Sequence, residues 1–209
     1  MAGKIVVGIA GGSGSGKTTF CQQLQEHIGA ESVTTLQHDA YYRDLSHLPE
    51  SDRAATNFDD PQALESELLV DHLQQLLAGR DVKCPRYDFA NHSRKESGAV
   101  LTAKPVILIE GVLVFTHATL RDICHLRIFL DATENVRYQR RRSRDRELRG
   151  RSDDSIREQW RQTVKPMHDL HVEPSKDWAH IIVPAAEPNQ KAVELVSGYL
   201  NAVLDSQKP

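Results

Sequence analysis

Residues 11–18, GGSGSGKT, fit the pattern G-x-x-x-x-G-K-[ST]. Glycines at these places let successive backbone N–H groups curl around an anion without Cβ clashes. A helix that begins near Lys17 aims its positive end at the same anion. Lys17 then bridges β- and γ-phosphates, and the Thr18 hydroxyl is a ligand for Mg²⁺. Gly11, Gly12, Ser13, Gly14, Ser15, Gly16, Lys17, Thr18 and the adjoining Thr19 are the candidate nucleotide-binding residues. A plain glycine-rich turn is the alternative. The apolar β-branched run before the motif and the helical pattern after it favour the phosphate loop.

Two acids stand at the ends of apolar runs. Asp39 follows residues 33–37, and Glu110 ends VILIE at 106–110. A carboxylate at the carboxyl edge of a parallel sheet faces the ligand crevice. There Asp39 can take the proton of an attacking hydroxyl and help hold magnesium. Glu110 suits magnesium directly or through water. The competing roles are a helix-capping aspartate and a simple strand-end charge. Arginines 137, 140, 141, 142, 144, 146, 149 and 151 face only Asp145 and Glu147 in their stretch, while the chain as a whole carries −3. A focused positive patch on an acidic protein suits a specific anionic ligand better than a nucleic-acid surface. Small-molecule kinases close such an arginine-rich lid over the transferring phosphate and exclude water. A solvated helix face with pairs such as Asp145–Arg149 is the alternative. A guanine-specific GTPase would carry Asn-Lys-x-Asp, which is absent.

These groups need a scaffold. Residues 4–10, 33–37, 106–110, 126–130 and 181–183 read as short buried strands. Helices are expected over 18–28, with Gly29 as cap, from Pro61 through the leucines at 64, 68, 69, 73, 76 and 77 to Gly79, and over 133–148, 153–171 and 192–204. The alternation predicts an α/β fold, a parallel sheet with helices on both faces. Residues 81–104 break the rhythm and read as a β-hairpin excursion, with strands at 82–87 and 99–103 around a polar turn. The 209 residues suit a single domain, 1–209, with a lid over 140–152. No apolar run approaches the ~18 residues of a membrane span. The N-terminus lacks a signal-peptide layout, which favours the cytoplasm and no membrane partner. Cys21, Cys84 and Cys124 read as reduced thiols.

Several segments resemble the uridine kinase family, within the group that also contains phosphoribulokinase. They are GGSGSGKTT at 11–19, HDAYYRD at 38–44, NFDDP at 57–61, PRYDFANHSR at 85–94, VILIEGVL at 106–113, RDRELRGR at 144–151 and VKP at 164–166. The resemblance implies a P-loop fold with a five-stranded parallel core, a hairpin beside the substrate and a mobile lid. It implies transfer of phosphate from ATP or GTP, with Mg²⁺, to the 5′-hydroxyl of uridine or cytidine in pyrimidine salvage. Asp39 is then the general base. Asp59 resembles the acid that grips the ribose hydroxyls. Asp59 can equally cap a helix before Pro61, although Asp60 is better placed for that. Tyr42, Phe58, Tyr87, Phe89 and His92 resemble the base pocket, since aromatic rings sandwich a flat pyrimidine. For Phe58 and Phe89, hairpin packing is an equal alternative. A neutral His92 can donate or accept, which suits both pyrimidines. Arg141 and Arg151 match contacts to sugar and base, Arg144 and Arg149 match phosphate contacts, and Gln159 matches a further substrate contact. Arg137, Arg140, Arg142 and Arg146 have no match and read as solvated helix residues. The family's Pro-Arg-Gly after the last strand is replaced by Pro184-Ala185-Ala186, beside the expected donor purine. Family members are often homo-oligomers. A kinase of another small alcohol, such as a sugar phosphate or pantothenate, is the neighbouring reading. A sugar phosphate would want cations where the aromatic set stands. A nucleotide-dependent RNA-binding regulator is a third reading, disfavoured by the overall acidity.

Overall fold

The computed structural model describes residues 3–207 apart from 50, 51, 54, 55 and 90, so Ala90 of the 85–94 segment lies outside the described residues. Strand β1 (Ile5–Ala10) is buried at every position and leads through the glycine loop into α1 (Lys17–Ile28). Then come β2 (Val33–Gln37), α2 (Ser66–Leu77), the hairpin strands β3 (Val82–Asp88) and β4 (Ser93–Leu101), and β5 (Val106–Glu110). The short α3 (Ala118–Ile123), β6 (Leu126–Asp131) and the arginine-rich α4 (Glu134–Arg149) follow. The segment α5 (Asp153–Gln159) continues as helix to Trp178, before β7 (Ile181–Pro184) and α6 (Gln190–Ser206).

The main sheet has five strands in the order β2-β5-β1-β6-β7, all parallel. Its strands read as continuous apolar runs because both faces are covered. Val6, Ile107 and Ile109 pack on one side with Leu69, Leu73 and Leu76 of α2, while Val7, Ile9 and Leu108 pack on the other with Leu24 of α1 and Leu200 of α6. Glu110 pairs in register with Ile9 on one side and Gln37 on the other. Three adjacent strands therefore end level, and the glycine loop, Glu110 and Asp39 leave the sheet side by side. Among the described residues no helix is long and apolar enough to cross a membrane. The three cysteines are free and buried.

Three sequence expectations are corrected. Pro61 does not open the leucine helix; it starts only a short turn, Pro61–Ala63, capped by Asp60, whose Oδ1 accepts from the Gln62 N–H at 2.8 Å. Leu64 then returns to extended backbone and bridges Tyr42, with the Glu65 N–H donating to the Tyr41 carbonyl at 2.8 Å. This tertiary pairing outweighs local helix extension and straps the loop of Asp59 to the loop of Asp39. The second hairpin strand begins at Ser93 rather than 99, so most of the presumed turn is strand. The helix from Asp153 is not uniform. It carries π-helical stretches at Trp160–Val164 and His168–Val172. Each lies just upstream of a proline, Pro166 and Pro174, whose missing N–H and ring disfavour regular α-helix there.

Candidate active site

The phosphate loop is held from behind as well as by its own turns. Gly16 adopts φ 98° before α1, a left-handed conformation that glycine takes without strain. A side chain at Gly14 would collide with the carbonyl of Arg137 in α4. Lys17 is buried, and its Nζ donates to the Gly12 carbonyl at 3.1 Å. Burial lowers its pKa, against the pull of Glu110 and Asp39. The Thr18 hydroxyl donates to Glu110 Oε1 at 2.9 Å. Burial raises the pKa of Glu110, and Lys17 opposes that shift.

One cleft is lined by Ser13, Lys17, Thr18, Asp39, Glu110, the aromatic set Tyr42, Phe58, Tyr87, Phe89 and His92, together with Asp59, Arg141, Arg144, Arg149, Arg151 and Gln159. The structure thus brings the catalytic, metal and acceptor candidates to a single place. The rest of the nucleotide-binding set divides. Ser15, Gly16 and Thr19 line a second cleft with Phe20, Arg140 and Ala185. Gly11, Gly12 and Gly14 back onto Leu130 and Arg137.

The acceptor side is an aromatic basket. Tyr42 meets Phe58 and Tyr87 at ring-centroid distances of 5.4 and 5.2 Å. Phe58 and His92 stack at 4.6 Å and 13°. Hairpin packing and cleft lining, posed as alternatives for Phe58 and Phe89, are both satisfied. His92 sits at φ 48° at the hairpin turn, and burial, aided by Arg151 and Arg149, lowers its pKa and so favours the neutral ring. The buried hydroxyl of Tyr87 has no protein partner among the described residues, and burial pushes its pKa up to about 12. Asp59 Oδ2 accepts from the Thr163 hydroxyl at 3.1 Å. Burial raises the pKa of Asp59, while Arg141 draws it back.

The arginines of α4 correct the sequence reading most. Arg137 is 4% exposed, donates from Nε to the Ala132 carbonyl at 3.1 Å and lies over the Trp160 ring. Arg140 donates to the carbonyls of Ala185 and Ala186, each at 2.8 Å, so it ties the loop after β7 to the glycine turn. Neither is a purely solvated helix residue: Arg137 is buried, and Arg140, partly exposed, directs its guanidinium to backbone carbonyls of the loop after β7. Arg142 and Arg146 lie outward and pair with Asp153 at 2.6 and 3.7 Å. Asp145, in sequence a surface pairing partner for Arg149, has a side chain that is 0% exposed and lies among Arg141, Arg144 and Arg149 at 3.4, 2.9 and 3.5 Å. Burial alone would raise its pKa, but the three guanidinium groups hold it below the usual value. Its spacing, four residues from arginines on either side, was the available signal. Arg141 also donates to Ser13 Oγ at 2.8 Å and to Gln159 Oε1 at 2.9 Å, and Arg151 donates to the same Gln159 oxygen. Arg149 covers the Phe89 ring at 4.6 Å.

Residues 6–192 match the Phosphoribulokinase / Uridine kinase family. A protein named uridine kinase from Chloroflexus aggregans is 44% identical over 202 residues, 97% of each chain. Another so named from Bacillus mycoides is 40% identical over 203 residues, 97% of this chain and 96% of its own. A crystal structure of a putative fructose transport system kinase from Silicibacter sp. TM1040 superposes with a TM-score of 0.70 at 20% identity, over 88% of this chain and 91% of its own. At that identity the likeness speaks for the fold.

Proposed function

The chain belongs to the phosphoribulokinase / uridine kinase family, and on that footing we propose that it moves the γ-phosphate of ATP or GTP to the 5′-hydroxyl of uridine or cytidine, giving the nucleoside monophosphate. The observation that carries this is the aromatic basket closed by a neutral His92 in the same cleft as the phosphate loop and Asp39. A sugar phosphate would need cations where these rings stand. The hairpin over 81–104 and the lid over 140–152 are then parts of one catalytic unit.

Phosphoryl transfer is catalysed chiefly by positioning and charge stabilisation. In this reading Asp39 accepts the proton of the ribose hydroxyl. Lys17, Arg144 and Arg149 neutralise charge spreading over the transferred group. Tyr42, Phe58, Tyr87, Phe89 and His92 hold the base, with Asp59, Arg141, Arg151 and Gln159 holding the sugar end. Closure by the arginine helix keeps water from competing as acceptor. The Thr18 hydroxyl against the Glu110 carboxylate offers the hard oxygen donors that magnesium prefers, with Asp39 facing the same cleft. Among the described residues no group of three or more His, Cys, Asp or Glu forms a cage of its own. When bound, the ion would neutralise the donor phosphates.

The test is a coupled ADP-release screen against uridine, cytidine, adenosine, deoxynucleosides, ribulose 5-phosphate and pantothenate, with Lys17→Ala as control. Turnover of uridine or cytidine, lost in the control, is expected. Activity confined to ribulose 5-phosphate or pantothenate overturns the substrate assignment.

A further inference from the structure

Thr163 lies outside every segment that matched the family pattern, 104 residues from Asp59 in sequence, yet its hydroxyl reaches the Asp59 carboxylate at 3.1 Å. It sits in the π-helical stretch Trp160–Val164, four residues after Gln159, whose side-chain oxygen takes donors from both Arg141 and Arg151. One face of this helix thus holds the lid arginines at one turn and the ribose-side acid at the next. We propose that Thr163 is a positioning residue for Asp59, fixing the carboxylate plane so that it selects ribo- over 2′-deoxyribonucleosides; this rests on the assignment of Asp59 to the ribose hydroxyls.

The physical need is specific. The terminal torsion of an aspartate is broad, so a carboxylate without a fixed donor samples many planes. Gripping two vicinal hydroxyls requires one plane. Thr163 occupies one lone-pair site on Oδ2 and leaves Oδ1 and the second site of Oδ2 for the sugar. The Asp59 backbone is already held, its N–H donating to Asn57 Oδ1 at 3.1 Å, so the side-chain torsion is the freedom that remains. The same hydroxyl also lies 3.1 Å from the Gln159 carbonyl, but it has a single proton. A charged carboxylate is the stronger acceptor of the two.

The experiment compares uridine and 2′-deoxyuridine as substrates for the wild type, Thr163→Val, Thr163→Ser and Asp59→Asn. Thr163→Val keeps the side-chain shape and removes the donor. A hydrogen bond to a charged group corresponds to about a tenfold to hundredfold effect. The expected result is a roughly tenfold rise in KM for uridine, kcat within a few-fold of wild type, an unchanged donor KM, and a roughly tenfold loss of the uridine-to-deoxyuridine ratio in kcat/KM. Thr163→Ser should restore all of these. If Asp59→Asn lowers the ratio and Thr163→Val does not, the role of Thr163 is overturned while that of Asp59 stands. If Asp59→Asn leaves the ratio untouched, the ribose assignment itself fails and the proposal with it. A fall in kcat shared equally by both substrates and not rescued by serine would mark Thr163 as structural only, and also overturn it.

Discussion

Asp39 and Lys17 line the same cleft, and in the roles proposed for them their loss should register in turnover rather than in nucleoside affinity. Asp39→Asn should lower kcat by about 10²–10⁴ with uridine affinity changed only a few-fold, read by steady-state kinetics beside calorimetric binding. His92 makes a pH prediction with a definite sign. Burial first, then Arg151 and Arg149, place its pKa below the usual 6.5. The ring therefore gains its proton at lower pH than an ordinary histidine, and the midpoint of any rise in KM for uridine on acidification should lie below pH 6.5. A midpoint at or above 6.5 would contradict the assignment of His92 as the recognition ring. The residue types at these positions were legible because each has a narrow chemical vocabulary: glycines before a lysine and a hydroxyl, and acids after apolar runs. Arg137, Arg140 and Asp145 were not, because a charged side chain looks the same in sequence whether water or protein surrounds it.

Helix α4 works as an element. Its buried Asp145 gathers Arg141, Arg144 and Arg149, which otherwise would repel one another across the cleft. Removing one partner of a buried charge group leaves the others uncompensated. Asp145→Asn should lower unfolding free energy by about 2–4 kcal/mol, the lower part of that range allowing for the partly exposed Arg144, and lower kcat at least about tenfold. Denaturant melts and kinetics together check both. Because the folded pKa of Asp145 lies below its unfolded value, its contribution is complete above about pH 4 and is lost as pH falls further. One residue before that cluster, Arg140 spans to the Ala185 and Ala186 carbonyls. Arg140→Met should raise the KM for ATP or GTP several-fold and leave that for uridine alone, measured with each substrate varied in turn. The arginine expected in Pro-Arg-Gly is absent at Ala185, and a guanidinium from α4 reaches that same loop.

At the scale of the whole molecule, the sites proposed for donor and acceptor are built on different parts of one fold, the glycine loop of β1–α1 and the basket on the hairpin. Each ligand should therefore stabilise independently. At a hundredfold excess over Kd, binding adds about 2.7 kcal/mol, a Tm rise of roughly 5–10 °C for a chain of this size. Lys17→Ala should lose the nucleotide increment and keep the uridine increment, read by thermal shift; loss of both would mean the two sites are not separable. The strand set, the parallel sheet and the site's residue types were determined by the sequence alone, since continuous apolar runs and motif spacing are local properties of the chain. What tertiary structure decided was the break of the leucine helix at Leu64, the early start of β4, the inward turn of Arg137 and Arg140, and the contact of Thr163 with Asp59. Each depends on a partner far along the chain, and the energy of a long-range contact leaves no periodic signature in the residues that make it.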